Sequence, residues 1–496
     1  MGEFRFRIPA NMQLAPYHSN SIHVVGIDGI PWPCRISFVG DESATEAESA
    51  AHASRYICVS RNRDESGRVY FVYPLKNRGE MLICTGTLPV REKPYELLPE
   101  LARGTLNRLR NQISIWEEGG LEIAASVNER VGIATHLLSQ SILCIDLEQS
   151  DQAARDSIEQ SMDAIFELSN SFGVQISRFR RDHDQLSNFW LANVTGHGDQ
   201  FEASLTLPEF DVAQVCLTPD AVAQNPRLQA GGAENLGRRI VVGPWLDTSV
   251  GGLPQRLLDI KDTMDRKQQL LDDCKLQLES LPSTTSLIHV ARGINGIGHR
   301  HLSYPNQLQT IIDILNLVEA SQTKQPTMIS FDFPWAERLA GAVGGIHPLQ
   351  IADSLLRQGL PISFLGLDIN LDYWPNGSAI RDPLQWIDLV DVWAQLGLPL
   401  VICLRMPTGS TQNDSKSVDR EVNQSRSGLS DDQRIQFLET VLPMMVARPS
   451  VHGMIWSQWS DDDDKRFPHG GLVDANGEIK LPILETIRKM RAAIMG

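Results

Sequence analysis

The chain of 496 residues predicts an α/β protein, with a C-terminal (β/α)8 TIM barrel preceded by an N-terminal antiparallel β-sandwich-like domain and a helical connector. Three observations carry that reading. Residues 1–95 alternate apolar and polar side chains in short runs separated by turn residues, the period-2 pattern of half-buried strands. Residues 96–171 have no proline after Pro99 and are rich in Leu, Ala, Gln and Glu, which favours helix. From residue 172 to 496, short continuous apolar runs alternate with amphipathic stretches of helical period, the rhythm of a parallel sheet covered by helices.

In the first region the runs Ile22–Ile27, Cys34–Val39, Tyr56–Ser60, Val69–Tyr73 and Met81–Thr85 read as strands, with turns at Asp28-Gly29, Ser66-Gly67 and Arg78-Gly79. Near the start, Phe4, Phe6 and Ile8 alternate with Glu3, Arg5 and Arg7, a strand pattern that lacks the apolar core of a leader peptide. The acidic, alanine-rich run Asp41–Ser54 reads as a solvated loop or short helix. In the connector, Leu101–Gln112 is a basic helix carrying Arg103, Arg108 and Arg110, read as packed between domains with its basic face in solvent. Eight barrel strands follow: Val174–Ser177, Phe210–Leu217, Arg239–Leu246, Ser286–Ile294, Thr327–Asp332, Ile362–Ile369, Leu398–Leu404 and Val451–Trp456, with helices such as Leu308–Ala320, Leu349–Arg357 and Leu384–Leu396 between them. A doubly wound sheet is the alternative, but no strand runs into a glycine-rich phosphate turn. The polar run Thr408–Gln433 interrupts the barrel after its seventh strand and has the composition of a lid.

Composition narrows the function. Sixty-one Asp and Glu against 45 Lys and Arg give a net charge of −16, which repels a phosphate backbone, so nucleic acid is not an expected partner. Apolar residues at 42% and charged residues at 21% match a globular protein, and no apolar stretch is long enough to span a bilayer. Seven cysteines without CxxC spacing read as reduced thiols of a cytoplasmic protein. No cofactor or metal is expected: His299 and His301 flank Arg300 without further histidines at strand ends, and Asp461–Asp464 lack the alternate spacing of a calcium loop. The oligomeric state has no signature here.

A barrel of this kind works at the C-terminal ends of its strands. Those ends carry tryptophans, on which flat sugar faces stack, and polar groups that bond to hydroxyls, so the expected partner is a carbohydrate. The binding candidates are Trp245, Asp247, Arg292, Asn295, Trp335, Glu337, Asp372, Trp374, Arg405, Trp456 and Trp459.

The final segment adds a resemblance. Gly453-Met-Ile-Trp456-Ser-Gln-Trp459 is followed by His469-Gly-Gly-Leu-Val-Asp474-Ala-Asn-Gly477 and a helix with Leu484, Ile487, Met490 and Ile494 at helical spacing. This is similar to the end of glycoside hydrolase family 10, where the eighth strand, its tryptophan and a His-Gly-Leu-Phe-Asp-Ala-Asp-Gly run close the barrel. The resemblance implies hydrolysis of an O-glycosyl bond by two carboxyl groups. In the family, the acid is a glutamate after an asparagine at the end of strand four, and the nucleophile a glutamate ending strand seven. Here Asn295 is followed by Gly296, no glutamate lies between Ser286 and Asn306, and strand seven reads Ile402-Cys403-Leu404-Arg405. The expectation is therefore a relocated pair, Asp332 and Asp368, with Glu337 and Asp372 further out, Asp247 across the mouth, and Arg292 and Arg405 holding one carboxylate ionised. The alternative is an inactive barrel acting as a carbohydrate-binding or structural module, with Trp245, Trp335, Trp374 and Trp456 as its platform.

Overall fold

The computed structural model describes residues 2–9, 12, 21–39, 55–196, 200–215, 238–249, 251–299, 302–341, 344–373, 377–408, 429–464 and 466–495. The acidic run Asp41–Ser54, Arg300 and His301, Trp374 and most of Thr408–Gln433 lie outside the described residues.

The alternating runs of the N-terminal region form two four-stranded sheets. One is ordered Arg35–Val39, Arg55–Arg61, Gly2–Ile8, Tyr95–Glu96, and the other Pro31–Trp32, His23–Val25, Arg68–Leu75, Gly79–Cys84. Pairing is antiparallel except at the short Tyr95–Glu96 segment. Phe4, Phe6 and Ile8 are buried while Glu3, Arg5 and Arg7 are not, and Phe6 meets Phe71 of the other sheet edge-on at 5.2 Å.

Three helices follow: α1 (Leu97–Glu118), α2 (Ala125–Leu143) and α3 (Leu147–Asp182). The stripe Ile158, Met162, Ile165, Ser169, Phe172 keeps α3 buried along one side. Val174–Ser177, expected as the first barrel strand, belongs to this helix: Val174 is exposed, while Gly173, Ser177 and Arg180 continue the buried stripe. A four-residue window cannot separate a period of 2 from one of 3.6, and the uninterrupted helix before it decides the outcome. The first strand is instead Trp190–Val194.

The remaining strands are Val212–Val215, Arg239–Val242, Thr285–Ile294, Thr327–Asp332, Phe364–Asn370, Leu400–Arg405 and Val451–Trp456. Each pairs in parallel with the next, and the eighth returns to the first with Gly453 opposite Trp190, so the sheet closes as a barrel of eight. Its floor is apolar, built by Trp190, Val212, Val241, Leu287, Met328 and Val401. Towards the C-terminal ends the inward positions turn polar, with Gln214, His289 and Ser330 below Asp332, Asp368 and Arg405. Gly366 is required at this step, because a Cβ on it would lie 2.4 Å from that of Ser330.

The N-terminal sheets dock on the loops after the fifth and sixth strands. Leu82 N–H donates to Ile380 O (2.7 Å), Gln385 Nε2 to Leu82 O (2.6 Å) and Cys34 N–H to Ala340 O (3.1 Å). Arg108 on α1 does not face solvent as expected. It reaches Asp382 at 2.6 Å, across the seam. Among the described residues no helix is long and apolar enough to cross a membrane.

Candidate active site at the barrel mouth

Strand alternation puts Ser330 with Asp332, Asp368 with Asn370, and Cys403 with Arg405 on the inward faces of the fifth, sixth and seventh strands. The ladder places Asp332 opposite Asp368, Asp368 opposite Cys403, and Asn370 opposite Arg405. Arg292 and Gly293 come from the fourth strand, Ser249 from the loop after the third, and Ser457 and Phe467 from the loop after the eighth. With Asp332, Asp368, Asn370, Cys403 and Arg405 they line a cavity of about 10 Å³, room for about one water molecule, and Ser330 lies beneath it.

Opposite charges alternate round this cavity. Arg292 Nε lies 3.4 Å from Asp247 Oδ2, and Arg466 Nη2 lies 3.3 Å from the same oxygen. Arg466 also binds Asp464 at 2.7 Å, and Asp464 is 3.7 Å from Arg405. Arg405 Nη1 donates to Asn370 Oδ1 (3.2 Å), and Asn370 Nδ2 donates to Asp332 Oδ1 (3.1 Å). Phe467 closes the side, its ring 4.2 Å from the Arg405 guanidinium.

The carboxyl groups of this ring are in unlike states. Burial alone would raise Asp247, but Arg292, Arg466 and two hydrogen bonds from Ser249 outweigh it and hold the carboxylate well below its ordinary range. Asp464 is lowered too, its burial outweighed by Arg466 and Arg405. Asp368 is raised by burial, against the pull of Arg292, the Ser330 hydroxyl (2.6 Å) and the Gly293 N–H (2.9 Å). Gly293 has φ +78°, and a Cβ there would lie 2.7 Å from Ser249 N, so only glycine delivers that N–H. Asp332 is pushed up to about 7 by burial and then by the charge of Asp368, with Phe333 N–H and the Asn370 amide as its hydrogen-bond donors among the described residues. Burial, then Arg292, brings Arg405 down to about 10.

The structure thus brings Asp247, Arg292, Asp332, Asp368 and Arg405 together and places the other candidates elsewhere. Asn295 Oδ1 accepts from Ile297 N–H and Gly298 N–H and so holds its own turn. Asp372, at φ +62°, pairs with buried Arg434 at 3.4 Å. Glu337 faces Arg381 at 3.7 Å, and Trp335 donates to Gln385 O with Arg381 over its ring, both at the seam with the N-terminal sheets. Trp245 is buried in the core. Trp456 donates to Gly470 O and Trp459 to Gln200 Oε1. Strand parity explains Trp456: it is the register partner of Leu404, on the outward side, whereas Ile455 and Ser457 point in. None of these four tryptophans lines the cavity, and the aromatic residue that does is Phe467. Cys403 is a buried thiol pushed well up by burial and then by Asp368, which suits packing better than nucleophilic attack.

Several residues of the site have only a weak sequence signal. Ser330 and Asn370 lie two positions from Asp332 and Asp368, on the same face of their strands. His289 and Gln214 are polar interruptions of apolar strands. Asp464, Arg466 and Phe467 come from the loop that crosses the mouth, which is pinned by Lys480 to Asp461 (2.6 Å) and to the carbonyl of His469 (3.1 Å).

No protein-family model matches the chain, and no curated protein matches it. Among solved structures, native xylanase 10B from Thermotoga maritima matches at 12% identity over 64% of this chain and 98% of that one, with a TM-score of 0.44. A thermostable mutant of a xylanase from Cellvibrio japonicus matches at 13% identity over 63% and 99%, TM-score 0.43. The family 10 xylanase of Thermobacillus composti matches at 12% identity over 62% and 98%, TM-score 0.43.

Proposed function

We infer that the barrel mouth is the active centre of a carbohydrate-processing enzyme that hydrolyses an O-glycosyl bond, with Asp332 as proton donor and Asp368 as its ionised partner. One observation carries this reading. Two buried carboxyl groups are register partners on neighbouring strands, one served by an N–H, an O–H and an arginine, the other by two amide donors. Groups in such unlike settings titrate apart, and glycoside cleavage needs one carboxyl protonated and one ionised. The Asp332 and Asp368 side chains project from register partners on neighbouring strands, and a retaining course, with one carboxyl as acid and the other as nucleophile, is the reading adopted. Asp332 then gives its proton to the glycosidic oxygen as that C–O bond breaks, and an Asp368 oxygen bonds to the anomeric carbon. Water next displaces Asp368 while Asp332 takes the water's proton. Arg405 acts through Asn370, fixing Asp332 Oδ1 so that Oδ2 carries the proton. The six described cysteines are free, which suits a reducing, cytoplasmic setting.

A second reading has its own observation. The cavity holds about one water and Trp245, Trp335, Trp456 and Trp459 lie outside its lining, which favours a barrel that kept its fold as a binding or structural module and lost its chemistry. Hydrolysis of a panel of β-linked oligosaccharides by the full chain, beside Asp332→Asn and Asp368→Asn, separates the two, with binding followed calorimetrically. Turnover lost in both variants supports the enzyme. Binding without turnover in the unaltered chain supports the module.

A further inference from the structure

We propose that Gln214, His289 and Ser330 form a hydrogen-bond relay of one polarity that keeps Asp368 the ionised carboxylate of the pair, His289 and Gln214 acting as positioning residues. The effect on turnover rests on the hydrolase reading above; the relay itself does not. Gln214 Nε2 lies 3.1 Å from the Gly243 carbonyl and 3.0 Å from His289 Nδ1. A carbonyl only accepts, so the amide nitrogen must face both groups, and its two hydrogens are then used. His289 Nδ1 is therefore an acceptor, and the ring carries its hydrogen on Nε2. From there it donates to Ser330 Oγ at 2.9 Å. The Ser330 hydroxyl is left to donate to Asp368 Oδ2 at 2.6 Å. Gly293 N–H lands on the same oxygen, and the Cys403 thiol also bonds to this carboxyl group.

The relay crosses the barrel interior from the second strand to the sixth, and every link points towards Asp368. His289 is fully enclosed and is lowered to about 3 by burial and then by Arg292, so the ring stays neutral and the direction of the relay does not switch with pH. Other groups face Asp368 from the packed elements: Arg292 on the fourth strand, Asp332 on the fifth, Cys403 and Arg405 on the seventh, and Asp247 across the mouth. Burial and Asp247 push Asp368 towards protonation. The Ser330 hydroxyl, oriented from behind by His289, opposes them along with Arg292 and Gly293.

The test needs no substrate at first. Urea midpoints of the full chain are measured from pH 4 to 8 for the unaltered protein, Ser330→Ala and Ser330→Thr. A carboxyl group raised in the folded state confers stability that is present at low pH and lost as pH rises through its folded value. Removing the Ser330 donor raises Asp368 further, so the loss in Ser330→Ala extends upward by about one pH unit, while Ser330→Thr, which keeps the hydroxyl, restores the original profile. His289→Leu behaves like Ser330→Ala, and His289→Gln, which keeps an N–H donor, behaves like the unaltered chain; this pair decides if Ser330→Ala does not fold. Where turnover is found, the acid limb of the pH–rate profile moves by the same interval and the alkaline limb stays. An unchanged profile in folded Ser330→Ala overturns the relay whatever the substrate panel gives. A shifted profile with no turnover on any substrate upholds the relay and overturns the hydrolase.

Discussion

Asp382, which caps a helix at the seam with the N-terminal sheets, and Asp332, which ends a strand at the barrel mouth, are both buried carboxyl groups, but they differ oxygen by oxygen. Asp382 receives Arg108 on both oxygens (2.6 and 3.2 Å) and Gln385 on both through its backbone N–H and side-chain amide (3.2 and 2.7 Å). Asp332 receives two amide donors on Oδ1 and, among the described residues, makes no ion pair. The seam uses its carboxylate to join two parts of the chain. Among the described residues the mouth leaves one Asp332 oxygen without a donor, and burial brings the group to about 7, where a proton can be given and taken back. Burial by itself therefore does not mark a reactive carboxyl; burial without a bound cation does.

The sharpest break of this comparison is Asp332→Asn. It is expected to lower kcat/KM by about 10²–10⁴-fold while leaving the urea midpoint at pH 8 unchanged or higher, since no buried charge is left to form. A variant that keeps full activity would make Asp332 as structural as Asp382. Next in size is Arg108→Leu, which strands the Asp382 carboxylate without its cation and should cost about 3–5 kcal/mol in chemical denaturation; a cost near zero would mean that the seam is incidental. Third is the pH dependence of stability. With Asp332 near 7 in the folded chain and about 4 in the unfolded one, its contribution is present below about pH 4 and lost as pH rises through about 7. The expected fall is on the order of a few kcal/mol, and Asp332→Asn should flatten it. The smallest effect is Trp456→Phe, which forfeits the N–H bond to Gly470 and should cost about 1 kcal/mol with ligand affinity unchanged. A tenfold loss of affinity would return that indole to the cleft.

Much of the barrel was legible because its strands are short apolar runs with clear stops. Thr327–Asp332 and Val451–Trp456 have the expected bounds, and the fourth, sixth and seventh strands shift by two residues or fewer at each end. The first strand was not legible, because Trp190–Val194 is five residues long, while the apolar run before it continues a helix. At the site, the nearness of Asp332 and Asp368 has a positional signal: Asp332 ends its apolar strand, and Asp368 lies two residues before the end of the next. The tryptophans misled for a geometric reason, since one residue decides whether a strand-end side chain points into the barrel or away from it. Gln214, His289 and Ser330 sit on the second, fourth and fifth strands, and whether polar groups on those strands meet depends on strand stagger at closure, which no local pattern encodes.

The alternating ring at the mouth has a kinetic consequence. Arg292, Arg405 and Arg466 stand against Asp247, Asp368 and Asp464, with Asp332 carrying its proton below about pH 7, so the entrance is close to neutral although the whole chain carries −16. Mobile salt ions screen the remote acidic surface beyond about 8 Å at physiological strength. A neutral visitor then reaches the mouth by plain diffusion, at a rate that added salt leaves almost untouched.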